Sequence, residues 1–263
     1  MSLALNYNRL QHLIEEPFPA LSPEVLQRRG SVFFIGGNLP VYETLETMYE
    51  SYCLEATDLF HVTFADRGDL ERNLELVRQI KKNFTVRMMG RIAFEIPAKL
   101  LEVAYLAGLD VLDLPHVPHG GAGRHDTRQT FFTSAVEIFP RWSLVSTLGL
   151  GLVSADEMRD AIDNLLTMGV VPLPKMIGSA AVKADEAAAL FKYLTTAWQR
   201  HEVQIKPLLP LIRLVTPLES SEAAGFIRTV INRIQDRHLL ATSDLRRHLR
   251  TSGAEASFES AGL

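Results

Sequence analysis

The sequence predicts an α/β fold in which parallel strands form a TIM-type barrel, a partial barrel of six βα units with extra C-terminal helices. Six short apolar runs rich in β-branched residues recur along the chain, at 31–35, 59–65, 85–90, 109–114, 142–148 and 170–173. A helical segment of about a dozen residues or more separates each pair, as the crossovers of a parallel sheet require. Apolar residues make up 47% of the 263 residues, enough for a large core.

The first two units have clear turn and cap signals. Strand 31–35 ends at the turn-forming run Gly36-Gly37-Asn38, and a helix is expected over 40–55. The second strand is followed by Asp66-Arg67-Gly68, after which Asp69 is predicted to cap a helix with apolar residues at helical spacing.

The later units repeat the pattern. Pro97 suits the first turn of a helix, and Gly108 suits its end. A loop rich in Pro, His and Gly leads to a helix over 126–139, and Ser154 is predicted to cap a helix that ends at Gly169. A doubly wound sheet is the alternative, but 36–40 lacks the Gly-x-Gly-x-x-Gly turn that nucleotide-binding sheets of that type carry.

Four segments are expected along the chain: a helical lead-in over 1–30, the six units over 31–182, helices that pack on the barrel or a partner over 183–251, and a flexible tail over 252–263. The C-terminal helices are candidates for a homo-oligomer interface.

Composition excludes several functions. With 27 basic and 31 acidic residues the net charge is -4, so nucleic acid is not an expected partner. No apolar run reaches the length of a membrane helix, and we expect a cytoplasmic protein that does not bind membranes. A lone cysteine, Cys53, cannot form an internal disulfide.

The fourth to sixth units resemble a known family. The stretches that carry the resemblance include Ala-Gly-Leu-Asp at 107–110, the strand region 143–151, the helix 161–166 and Gly-Val-Val-Pro at 169–172. Over about residues 31 to 180 the chain resembles the barrel of radical S-adenosylmethionine enzymes of the biotin-synthase-like group, whose partial barrels also have six units. The resemblance implies a substrate site at the barrel mouth.

The chain departs from that family at the family's catalytic loop. Family members carry three cysteines at CxxxCxxC spacing after the first strand, whereas residues 36–43 here contain none. We therefore expect no iron–sulfur cluster and leave the cofactor unknown, including whether S-adenosylmethionine binds. Where the family's fourth strand ends near a cofactor-contacting Glu, this chain reads Asp113-Leu114-Pro115-His116.

Topology selects the candidate site residues, because the C-terminal ends of parallel barrel strands form the mouth where substrates bind. Expected ligand contacts are Gly36, Gly37, Asn38, Asp66, Arg67, Arg91, Thr147 and Ser179. Expected catalytic residues are Asp113, His116 and Lys175. Arginine forks match carboxylates, so Asp66, Arg67 and Arg91 are a candidate carboxylate-recognition set.

Two groups allow alternative chemistry. His116 and His119, with Asp113, have the side-chain types of a divalent metal site or an acid–base pair. Lys175 lies among apolar residues, a setting that can favour the neutral amine of a Schiff-base aldolase, and a solvated loop lysine is the alternative. His61 lies inside a strand and is interpreted as a satisfied core histidine.

Three functions remain open. The first is a cluster-free barrel of the radical S-adenosylmethionine type that binds a small anionic ligand. The second is an enzyme of another TIM-barrel class, either a metal-dependent hydrolase or lyase or an aldolase. The third is a non-catalytic partner of a cofactor-assembly enzyme.

Overall fold

The computed structural model describes residues 3–54, 57–115, 125–177 and 182–220, together with 244, 245 and 247. The elements follow in the order β1 (Leu3–Leu5), α1 (Tyr7–Glu15), β2 (Leu26–Arg29), β3 (Val32–Gly36), α2 (Val41–Leu54), β4 (Leu59–Thr63), α3 (Leu70–Asn83), β5 (Arg87–Arg91), α4 (Ala98–Ala107), β6 (Val111–Asp113), α5 (His125–Ile138), β7 (Leu144–Leu150), α6 (Ala155–Thr167), β8 (Val171–Met176), α7 (Ala184–Arg200), a 3-10 turn (Lys206–Leu208), α8 (Leu209–Val215) and β9 (Leu218–Ser220).

Seven strands form one sheet in the order β2-β3-β4-β5-β6-β7-β8. Strands β3 to β8 are parallel, each followed by a helix, and β2 pairs antiparallel with β3. Every residue of β3 and β4 is buried, as expected for parallel strands covered on both faces. The fold is therefore α/β with a mostly parallel sheet, and the six predicted strands coincide with β3 to β8.

The sheet is curled into a half-barrel. His61 on β4 and Leu173 on β8 line the same cavity, although four strand spacings separate them in the sheet. In a flat sheet these strands would stand about 19 Å apart, at about 4.8 Å per spacing. The concave side is consequently an interior.

Two other segments fill the open side of the half-barrel. Phe18 and Leu21, from the segment between α1 and β2, line the cavity together with Leu211 and Val215 of α8. A small antiparallel sheet of β1 and β9 joins the chain start to the end of α8. The predicted lead-in thus contains one helix and two strands, and α8 belongs to the interior.

The described residues after β9 are few but well anchored. Arg247 Nη2 lies 2.5 Å from Asp110 Oδ1, and its Nε donates to the Tyr105 carbonyl oxygen at 3.0 Å. Lys81 Nζ lies 2.8 Å from the other oxygen of Asp110. Arg247 also pairs with Asp244 at 2.5 Å. We call Lys81, Asp110, Asp244 and Arg247 the base cluster, because Asp110 directly precedes β6.

Most of the remaining predicted C-terminal helices and the tail fall outside the described residues. Within the described parts, no helix combines the length and the apolar character that crossing a membrane demands.

Candidate functional site

The register of the sheet brings four predicted residues together. Thr63, Arg91 and Asp113 are direct partners across β4, β5 and β6, so their side chains share one face. Asp113 is paired with Val145, and side chains alternate along a strand. Thr147, two residues after Val145, and Lys175, opposite Gly149, therefore lie on the same face.

This face is the concave one. Arg91, Asp113, Thr147 and Lys175 line a cavity of about 20 Å³, the volume of about one water molecule. We call these four residues the mouth cluster. The C-terminal ends of the strands thus bring together four predicted site residues, namely Arg91, Asp113, Thr147 and Lys175. Their chemical roles stay predictions.

Asp113 is the centre of a hydrogen-bonded network. Arg91 Nη1 donates to Asp113 Oδ2 at 2.5 Å, and the Thr147 hydroxyl lies 2.8 and 2.9 Å from its two oxygens. The Thr147 backbone N–H donates to Oδ1 at 3.2 Å. The side chain of Asp113 is only 2% exposed, but that of Arg91 is 27% exposed. The network fixes the carboxylate while leaving part of the guanidinium accessible.

Lys175 is the least compensated charge of the mouth cluster. Its Nζ donates to the Pro19 carbonyl oxygen at 3.1 Å and lies 4.9 Å from the centre of the Phe18 ring. Burial and the charge of Arg91 lower the pKa of Lys175 to about 8, and Asp113 opposes the shift. Among the described residues, no carboxylate lies within ion-pair distance of its amine.

His61 is the residue that sequence reasoning undervalued. The ring is 2% exposed, lines the cavity, and has an Nδ1 without a hydrogen-bond partner among the described residues. Burial and the charge of Arg91 lower its pKa to about 3, so the ring is neutral. The expectation of a satisfied core histidine is not met at Nδ1, and no local sequence signal distinguishes such a ring.

The glycines and Asn38 of the first turn do not contact the mouth cluster. A Cβ on Gly36 would collide with the backbone of Pro23, so the chain's own segment occupies that place. Gly37 and Asn38 line a separate groove of about 320 Å³, in which Asn73 Nδ2 donates to Asn38 Oδ1 at 3.2 Å.

The predicted pairing of Asp66 and Arg67 with Arg91 is not present. Both residues are exposed, and Asp66 Oδ1 accepts from the Asp69 backbone N–H at 3.1 Å. Arg91 pairs instead with Asp113, because β5 and β6 are direct neighbours. Asp66 and Arg67 thus lie in a solvent-exposed loop.

His116, His119 and Ser179 lie outside the described residues. Within the described part of the chain, no three His, Cys, Asp or Glu side chains converge as metal ligands would. Both oxygens of Asp113 are already engaged by Arg91 and Thr147. The divalent-metal hypothesis therefore gains no support from Asp113.

Comparisons with known proteins add no closer assignment. No family model matches the sequence, and no curated protein matches it. Among solved structures, pyruvate kinase from Pyrobaculum aerophilum is similar with a TM-score of 0.41 and 16% identity over 69% of this chain. The chain spans 44% of that enzyme's length. 7,8-Dihydropteroate synthase from Vibrio fischeri ES114 is similar with a TM-score of 0.35 and 11% identity, over 65% of this chain and 85% of that one.

Proposed function

We propose that the protein binds a small anionic molecule at the mouth cluster. In this proposal Arg91 and Lys175 contact the anion, and Asp113 and Thr147 hold Arg91 in position. The mouth cluster lies at the C-terminal ends of parallel strands, where barrel enzymes bind their substrates.

One observation carries the proposal: the charges around the cavity do not balance. Arg91 and Lys175 contribute two positive charges, Asp113 contributes one negative charge, and His61 is neutral. No other acidic residue among those described lines the cavity. An uncompensated charge away from water is costly, and a bound anion would offset it.

The size of the cavity defines how a ligand would enter. A space of about 20 Å³ has no room for a carboxylate or phosphate compound beside the present side chains. The segment containing Phe18, Pro19 and Leu21 covers the cavity and includes the only described acceptor of the Lys175 amine. In this proposal the ligand replaces the Pro19 carbonyl oxygen as the acceptor.

The test is ligand-dependent stabilisation. Thermal unfolding is measured with phosphate, acetate and pyruvate at fixed ionic strength, using the full chain, Lys175→Met and the exposed control Lys99→Met. An anion at a hundredfold excess over its Kd stabilises a binding protein by about 2.7 kcal/mol. We expect that stabilisation in the full chain and in Lys99→Met, and its loss in Lys175→Met. Equal stabilisation of all three, or of none, contradicts the proposal.

We propose more specifically that the chain is a partial (βα)6 barrel related to radical S-adenosylmethionine enzymes and lacks their iron–sulfur cluster. The six parallel strands support it, as does the cysteine-free turn after β3. Anaerobic reconstitution with iron and sulfide should then leave the protein colourless. A charge-transfer absorbance after reconstitution would contradict it.

A non-catalytic partner protein is the second candidate, and the filled mouth favours it. Apolar side chains from Phe18, Leu21, Leu211 and Val215 occupy the space where a substrate would sit. Because α8 contributes two of these side chains, it is part of the interior and is an unsuitable free contact surface.

If the partner is a second copy of the chain, light scattering should give the mass of a dimer. A monomer mass at all concentrations would exclude a second copy as the partner.

A further inference from the structure

The free edge of Arg91 points to a carboxylate as the anion. Among the described residues, Arg91 donates only through Nη1, to Asp113 at 2.5 Å and to Thr147 at 3.3 Å. Its Nε and Nη2 are therefore left for another acceptor. A guanidinium edge with two parallel N–H groups matches a carboxylate in a two-point contact.

The amine of Lys175 lies in the same cavity and is suited to react. With a pKa of about 8, about a quarter of the amine is neutral at pH 7.5, against roughly 0.1% for an ordinary lysine. The charged groups that face it are Arg91 and Asp113, and the neutral His61 lines the same cavity. Only a neutral amine attacks a carbonyl carbon.

We propose that Lys175 forms an imine with the carbonyl carbon of a small 2-oxo acid whose carboxylate is held by Arg91. This inference rests on the proposed anion binding and names the class of ligand. The carbonyl and the carboxylate are adjacent in a 2-oxo acid, and Lys175 and Arg91 line one small cavity, so we expect one small molecule to contact both. Side chains of β5 and β8 thereby act on a single ligand.

The reaction balances without an oxidant or a reductant. The Nζ lone pair attacks the carbonyl carbon and gives a carbinolamine, which then loses water. The carbonyl oxygen leaves in that water, carrying the two hydrogens of the neutral amine, and a carbon–nitrogen double bond replaces the carbon–oxygen one. Asp113, Thr147 and His61 line the cavity where the carbinolamine hydroxyl would form.

Reductive trapping tests the imine. The full chain is incubated with pyruvate and cyanoborohydride, and the adduct is located by peptide mass spectrometry. The variants are Lys175→Arg, which keeps the positive charge but removes the nucleophile, and the exposed control Lys99→Arg. We expect one adduct, on Lys175, in the full chain and in Lys99→Arg, and none in Lys175→Arg. Labelling spread over many lysines, or unchanged in Lys175→Arg, overturns the inference.

Lactate separates this inference from the proposed function. It has the carboxylate of pyruvate with a hydroxyl in place of the carbonyl, so it can bind Arg91 but cannot form an imine. If calorimetry shows that both acids bind but pyruvate is not trapped, the proposed anion binding stands and the imine is refuted. Binding of neither acid refutes the imine and counts against the site for carboxylates as well.

Discussion

Two buried carboxylates flank strand β6, and their surroundings differ. Asp110 precedes the strand and belongs to the base cluster, whereas Asp113 ends the strand and belongs to the mouth cluster. Lys81 and Arg247 contact Asp110, and Asp244 contacts Arg247, so the base cluster holds two charges of each sign. The mouth cluster holds two positive charges and one negative charge.

The difference separates a structural cluster from a candidate functional one. Although burial raises the pKa of Asp110, the charges of Lys81 and Arg247 hold it below its ordinary value. The carboxylate there is thus stabilised by the fold itself. In complete TIM-barrel enzymes, residues at the N-terminal face of the strands serve stability, and catalytic residues lie at the C-terminal face. Four substitutions test this contrast, and they are given in order of decreasing expected loss of stability.

Asp110→Asn should cause the largest loss of stability. The substitution leaves Lys81 and Arg247 facing a neutral amide in a buried place, which for buried ion pairs costs about 3 to 5 kcal/mol. Urea unfolding at pH 7 measures the change, and the exposed Asp160→Asn serves as the matched control. A loss no larger than that of the control would show that the base cluster does not hold the fold together.

Arg247→Met should cost about 2 kcal/mol, less than Asp110→Asn, because Lys81 still neutralises Asp110. The double variant with Asp110→Asn should lose less than the sum of the two single losses, since the two residues contact each other. Additive losses would argue that the C-terminal segment does not dock on Asp110.

Asp113→Asn should lower stability by about 1 kcal/mol, because the partly exposed Arg91 can be solvated when its partner is lost. The same change removes the one negative charge of the mouth cluster. Anion binding, measured by calorimetry, should therefore become tighter than in the unmodified chain. Weaker binding would mean that the position in which Asp113 holds Arg91 matters more to the ligand than the surplus positive charge.

Lys175→Met should cause no loss of stability at pH 7, because it removes a positive charge that burial disfavours, and it should remove a pH dependence. The amine has a pKa of about 8 in the folded chain and about 10.4 when unfolded, so the unfolded chain binds more protons between these values. Stability of the unmodified chain should rise over that pH range. The difference in unfolding free energy between the two proteins tests this, and a constant difference contradicts it.

Local patterns in the sequence predict the strands and therefore the convergence of all four residues of the mouth cluster. Arg91, Asp113, Thr147 and Lys175 each lie in or at the end of a strand whose apolar run is visible in the sequence. Because parallel strands end at the same edge, their convergence follows from topology without knowledge of any contact.

The parts that sequence reasoning missed depend on contacts between distant residues. The Lys175 amine meets the carbonyl oxygen of Pro19, 156 residues away, and Arg247 meets Asp110 over a separation of 137. Nothing in the local pattern around Pro19 or Arg247 indicates these partners. The packing of Pro23 against Gly36 is also a contact between residues apart in sequence. It explains the glycine at position 36 by close packing, without a ligand.

Anomalous diffraction from crystals soaked in bromide tests the charge imbalance most directly. Bromide is a small monatomic anion that scatters anomalously, so it reports where a small anion finds uncompensated positive charge. We expect an anomalous peak beside Arg91 and Lys175 in the mouth cluster and none beside Lys81 and Arg247 in the base cluster. A peak in the base cluster, or no peak in the mouth cluster, would contradict it.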